Sequence, residues 1–193
     1  MPSTRTTWDD AQAMPDDGNR YEAIGGELYV TPAPRLRHQR VSQRLEWALK
    51  EILVDPGHGE TFHAPVGIVF PTGEGVQPDI VFVSAERASM LAEMAIEGAP
   101  DLVIEILSPG TAHRDRGVKL DLYERQGVAE YWIVDPDARL IETWRFDRDP
   151  RFERHHRRVP VRLGERVLGE IPLDTLFRDD PPSRVIHGSA AGR

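Results

Sequence analysis

The sequence contains no cysteine, so disulfides, thiolate zinc sites and cysteine nucleophiles are excluded. No apolar run approaches the ~20 residues that a membrane helix needs, which excludes a chain crossing a bilayer by helices. The opening stretch, MPSTRTTWDD, lacks the apolar run of a secretory signal, and a cytoplasmic location is expected. Basic charge is also short. With 24 Lys and Arg against 32 Asp and Glu, the formal net charge is −8, which argues against a surface built to grip nucleic acid everywhere. No internal repeat and no low-complexity block is present.

What remains is 193 residues, 39% hydrophobic and 29% charged, the composition of a globular chain with an ordinary core. A single domain over residues 8–178 is expected, with 179–193 as a disordered tail. The charge is unevenly spread. Residues 30–50 carry Arg35, Arg37, Arg40, Arg44 and Lys50 against Glu46, and residues 145–168 carry eight arginines against four acids. A local positive face on an acidic body is therefore allowed.

The apolar patterning predicts a mixed α/β (α+β) core. Residues 21–30 form two short strands about the Gly25-Gly26 turn, a hairpin signal. Val41, Leu45, Ala48, Leu49 and Ile52 fall on one stripe of period 3.6, so residues 36–54 are predicted as a helix that Pro56-Gly57 stops. Strands are expected over 63–70, 78–84 and 100–107. The last two are nearly unbroken apolar runs, the pattern of central strands covered on both faces. A short helix or helical loop is expected over 86–96, and a second long helix over 114–126, ending at Gly127. A strand over 130–134 and its partner over 140–146 follow, and 159–163 and 166–171 are expected to add edge strands. The core order is helix, strand, strand, strand, helix, strand, flanked by an N-terminal hairpin and C-terminal antiparallel strands.

Two acids stand where acids are rare. Asp79 begins one apolar strand, and Glu105 interrupts the next, inside Leu102-Val103-Ile104-Glu105-Ile106-Leu107. Carboxylates are seldom fully buried unless paired or bound to metal. Two of them near the middle of one sheet would repel each other unless a cation lay between, and an all-oxygen set suits Mg²⁺ or Mn²⁺. The alternative is an acid that faces solvent or pairs with an arginine. Lys119, one turn before Tyr123, is expected at the core boundary, able to reach back over the sheet or to lie solvated.

Other groupings are weaker. Ser108, His113 and Asp135 lack the Gly-x-Ser-x-Gly elbow of a hydrolase triad, and Ser108 is expected to cap a turn. His155 and His156 are adjacent, so on a strand they would point to opposite faces rather than to one metal. Tyr131 and Trp132 are expected to pack in the core. Asp101 shares a strand face with Glu105 and is placed near the rim of any site there.

Tyr21-Glu22, Gly26-Glu27-Leu28, Pro78-Asp79-Ile80-Val81 and the run from Pro100 through Glu105 to Ser108-Pro109 occur in this order. They are followed by Arg114-Asp115-Arg116-Gly117-Val118-Lys119, Tyr123 and Gly127-Val128-Ala129-Glu130-Tyr131-Trp132-Ile133-Val134-Asp135-Pro136. This succession resembles the Uma-two family of restriction-endonuclease-like proteins, within the PD-(D/E)XK nuclease superfamily. The likeness spans roughly residues 8–177, and 100–136 is its specific part. It implies a restriction-endonuclease-like fold and metal-assisted hydrolysis of phosphodiesters, DNA rather than RNA. Asp79 takes the place of the PD aspartate and Glu105 that of the second acid, so these two are the implied metal ligands. Where the superfamily places its lysine this chain has Leu107, and Lys119 is implied to take over that role. Glu27 and His38 match other family positions, implied to line the same pocket.

Mg²⁺ or Mn²⁺ as cofactor, nucleic acid as partner and a homodimer complete the expectation, since cutting two strands calls for two sites. Arginines of the first long helix would hold flanking phosphates. The competing readings are a nuclease-fold module without catalysis that binds nucleic acid or a protein, and a hydrolase of small phosphate esters.

Overall fold

The computed structural model describes residues 5–178, and the tail expected over 179–193 lies outside them. The first helix, α1 (Trp8–Gln12), is held by a reciprocal cap in which the Asp10 N–H donates to Thr7 Oγ1 and the Thr7 N–H donates to the Asp10 carboxylate. The indole of Trp8 lies so close over Gly67 and Gly75 that a Cβ at either would overlap it. Strands β1 (Arg20–Ile24) and β2 (Glu27–Thr31) make the expected hairpin, paired antiparallel from Arg20 with Thr31 to Ile24 with Glu27. Gly25 and Gly26 turn it at positive φ, 64° and 87°.

Helix α2 (Leu36–Leu49) buries Val41, Leu45 and Leu49, as its stripe requires, and continues through one π-helical turn at Lys50–Val54. The wider turn shifts the phase, so Leu53 is fully buried while Ile52 packs at the core's edge. Four strands follow: β3 (Gly59–His63), β4 (Ile68–Val69), β5 (Gly75–Val76) and β6 (Ile80–Ser84). The strand expected over 63–70 is thus two strands in two different sheets. Pro65 has no N–H to give a ladder, so pairing stops there.

A 3₁₀ helix at Ala85–Met90 forms the first part of the short helix or helical loop expected over 86–96, whose end is instead β7 (Ile96–Glu97), and β8 (Leu102–Ile106) comes next. The helix expected over 114–126 is broken into α3 (Ala112–Asp115) and α4 (Val118–Gln126). Gly117 sits between them at φ −120° and ψ −102°, outside the helical region. Gly127 closes α4 in the left-handed conformation, φ 82°. The chain ends with β9 (Glu130–Asp135), β10 (Leu140–Arg145), β11 (Phe152–His155), β12 (Arg158–Leu163), β13 (Arg166–Pro172) and the short α5 (Leu173–Leu176).

The main sheet has the order β11-β10-β9-β8-β6-β3, with β8 and β9 parallel and the other neighbours antiparallel. A second sheet runs β2-β1-β5-β4-β7. β12 and β13 pair only with each other, so they do not extend the main sheet's edge as expected. The central strands β6 and β8 are buried along their whole length.

Strand alternation divides the core in two. Ile80, Phe82, Ile104 and Trp132 pack under α2 with β12 and β13. Val81, Val103, Ile133, Leu122 and Tyr123 pack on the opposite face, beneath α4. This is the mixed α+β architecture that the patterning predicts. Among the described residues no helix is long and apolar enough to cross a membrane.

Candidate active site

Register explains why the two anomalous acids meet. β6 pairs β8 with Ile80 opposite Ile104, and one further step along the antiparallel ladder puts Asp79 beside Glu105. Glu105 shares its strand face with Val103, the face that α4 covers. A cavity of about 240 Å³ opens there, lined by Arg20, Glu22, His38, Asp79, Glu105, Asp115 and Lys119 and bordered by the loop from Ser108 to Thr111.

Asp79 is buried, and three donors reach it. Arg20 donates to Oδ1 at 2.9 Å, the Ile106 N–H donates to Oδ2 at 2.8 Å, and His38 Nε2 lies 2.9 Å from Oδ2. Burial alone would raise its pKa, but the His38 contact, the Arg20 charge and the Ile106 amide overrule it and hold the group at about 2. Asp79 is therefore a fixed anion.

Glu105 is in the reverse position. Lys119 Nζ donates to its Oε1 at 2.7 Å and the Tyr123 hydroxyl at 2.9 Å. Burial nevertheless dominates, and with Asp115, Asp79 and Glu22 nearby it pushes Glu105 up to about 8 despite Lys119. Lys119 also contacts Glu22 Oε1 at 2.8 Å, and Asp115 Oδ1 at 4.0 Å. Burial opposes its charge, but Glu105, Glu22 and Asp115 together hold it above the usual lysine range. Asp115 is likewise raised, by burial first. Four buried carboxylates thus face one ammonium and one guanidinium. Arg35 and Arg114 stand at the border of the same cavity.

Of the residues singled out in the sequence, Asp79, Glu105, Lys119 and His38 converge on this cavity. Lys119 is only 5% exposed, well inside the boundary position expected for it. Glu27 does not join them. It opens β2 as an exposed residue and accepts a hydrogen bond from Tyr29 at 2.9 Å, because the hairpin turn carries it beyond the cavity. Asp101 is not at the rim either. It sits at the opposite end of β8, where it accepts from the Ser84 N–H at 2.8 Å and pairs with Arg87 at 3.3 Å.

The Ser108, His113, Asp135 grouping does not assemble. Ser108 bonds Thr111 at 3.1 Å, His113 is exposed, and Asp135 takes the amides of its own turn and Arg116. His155 bonds Thr143 on the main sheet's edge, while His156 is exposed.

Sequence reasoning missed Glu22, Asp115, Arg20 and Tyr123. Glu22 carried a usable signal, since period-2 alternation puts it on the face of β1 that it shares with buried Ile24. It is the same anomaly as Glu105. Asp115 precedes Lys119 by four residues, the spacing at which helical side chains meet, so the helix expected over 114–126 already carried that signal, and the pair persists at 4.0 Å across the break at Gly117.

The acids of this cavity offer hard oxygen donors, which suit a small divalent cation. Among the described residues no three metal-ligating side chains are gathered in one cluster. Asp79 and Glu105 are the acid pair that could hold such a cation.

A mixed sheet with an acid pair at its centre and a lysine reaching over from the next helix defines the chain as restriction-endonuclease-like in fold. The Uma2 family, described as "Putative restriction endonuclease", matches residues 8–174, and the chain belongs to it. Among solved structures, the chain is similar to "a putative nuclease belonging to DUF820" from Anabaena variabilis ATCC 29413. The TM-score is 0.73 at 21% identity, over 89% of this chain and 97% of that one, a likeness of fold. No curated protein matches the chain.

Proposed function

We propose that this chain is a divalent-metal-dependent endonuclease that hydrolyses phosphodiester bonds of nucleic acid, DNA rather than RNA. The observation that carries the reading is the convergence of Asp79, Glu105 and Lys119, from three separate elements, on one cavity wall. Family membership supports it. Packing alone gives no reason to bury three carboxylates around Lys119 and a fourth, Asp79, beside them, since well-packed apolar residues serve stability as well or better.

Asp79 and Glu105 would hold Mg²⁺ or Mn²⁺, which when bound polarises the scissile phosphate and acidifies a water. Arg20 and His38 fix the orientation of Asp79. Glu105 would hold the cation as a carboxylate, and Tyr123 and Lys119 keep its Oε1 in place. The Lys119 ammonium offsets the charge that develops on the phosphate. Arg37 is occupied by Asp137 and the Pro136 carbonyl, and Arg44 by main-chain carbonyls, so helix arginines at large are not free to hold phosphates. Arg35, which borders the cavity, is better placed to hold a flanking one. Cleavage of both strands would use a closed two-fold dimer with one site per copy.

The test is conversion of supercoiled plasmid in Mg²⁺ and in Mn²⁺, with Glu105→Gln purified in parallel. Nicking that needs metal and vanishes in the variant is the expected result. A wild-type protein that cuts in neither metal would instead favour a nuclease-fold module that binds without cleaving.

A further inference from the structure

A second cavity of about 440 Å³ adjoins the first and shares Arg20, His38 and Asp79 with it. Its character is different. Gln39, Ser42 and Gln43 line it from one face of α2, and Gln77 from the loop before β6. Gln39 and Gln43 are one turn apart, so their amides lie side by side. The neighbouring protein claims none of these side chains. Among the described residues the side chains of Gln39, Ser42, Gln43 and Gln77 make no hydrogen bond to the protein, and with Gln39 and Gln43 exposed their amides are open to a ligand from solvent.

The charges at this cavity select its ligand. A phosphate placed there would face Asp79, Asp16 and Glu46, while Arg20 is already committed to Asp79 and to the Gln77 carbonyl. A neutral group rich in donors and acceptors meets no such penalty. Paired amides offer a donor and an acceptor next to each other, which matches the edge of a nucleobase, adenine best of all. The volume lies within the range of small-ligand clefts.

We infer that this amide-lined cavity is a base-reading subsite, which takes the nucleobase next to the scissile phosphate. The inference rests on the nuclease reading for its substrate class, and on Arg20, His38 and Asp79 lining both cavities, which lets a strand with its phosphate in the first extend its next nucleoside into the second. The sugar-phosphate stays in the charged cavity and the base enters the neutral one. Gln39 and Gln43 are specificity-determining residues under this assignment.

The test is fluorescence anisotropy with 12-nucleotide single strands, dA12, dC12, dT12 and an abasic strand of equal length, in Ca²⁺, beside plasmid cleavage in Mg²⁺. The wild-type protein is expected to bind dA12 roughly tenfold or more tighter than the abasic strand. The Gln39→Ala/Gln43→Ala double variant, which keeps helix-forming residues on an exposed face, should narrow that gap to about twofold or less. Equal binding of dA12 and the abasic strand by wild type overturns the subsite, as does a gap that survives the double substitution. Cleavage without base discrimination sinks the subsite alone. Discrimination without cleavage sinks the hydrolytic reading and leaves the subsite standing.

Discussion

Lys119 Nζ lies 2.7 Å from Glu105 Oε1, both groups inside the protein, although one belongs to α4 and the other to the middle of β8. Glu22 adds a second contact at 2.8 Å from the hairpin. The lysine therefore ties three elements to one point. Removing its charge leaves buried carboxylates without a partner, which commonly costs about 3–5 kcal/mol. Lys119→Met is expected to lose that much in urea unfolding, and adding Glu105→Gln should recover part of it. An unchanged midpoint in Lys119→Met would show that the contact carries no such weight.

The two central acids oppose each other in pH dependence. Asp79 falls from an ordinary 3.8 to about 2 on folding, so its stabilisation is full above about pH 4 and is lost as pH drops towards 2. Glu105 rises from 4.5 to about 8, so the folded chain holds its proton more tightly. Its contribution is full below about pH 4.5 and is lost as pH climbs through 8. Stability without metal is expected to peak on the acid side of neutral. Urea midpoints taken in EDTA from pH 3 to 9 check this, and Glu105→Gln should flatten the alkaline side.

Burial pushes Glu105 up to about 8, so binding of a cation by it at neutral pH is expected to displace a proton. Titration of Mg²⁺ at pH 7 in two buffers of different ionisation enthalpy is expected to show release of up to about one proton per site. Glu105→Gln should show none. Identical heats in the two buffers for wild type would mean that Glu105 does not take up the metal.

Asp101→Ala separates scaffold from site. Asp101 ties the far ends of β6 and β8 through the Ser84 amide and Arg87. Its loss should cost about 1–3 kcal/mol of stability, the range for stranding a buried donor. Metal affinity per folded molecule should stay as in wild type, a result that calorimetry beside urea unfolding can read. A fall in metal affinity would bring Asp101 back to the site's rim.

Much of this was legible in the sequence for a local reason. Apolar periodicity is imposed by burial, so the stripe of α2 and the unbroken runs of β6 and β8 declared themselves without knowledge of the fold. Glu105 and Asp79 stood out because an acid in such a run breaks the pattern that burial imposes. Glycine and proline fixed the hairpin turn at Gly25-Gly26 and the ends of the long helices.

What tertiary structure alone decided is which residues share a point in space. The antiparallel register that puts Asp79 beside Glu105 depends on pairing between distant strands. Glu27 resembled a site residue by position, but the hairpin's fold put Glu22 there instead. β12 and β13 had strand patterning, yet only packing against α2 set them apart from the main sheet. Local patterns report which side of an element is buried, whereas the partner across the core is chosen by long-range pairing that no short window of sequence contains. The protonation of Glu105 is of the same kind, since it follows from burial beside three other carboxylates that only the folded chain assembles.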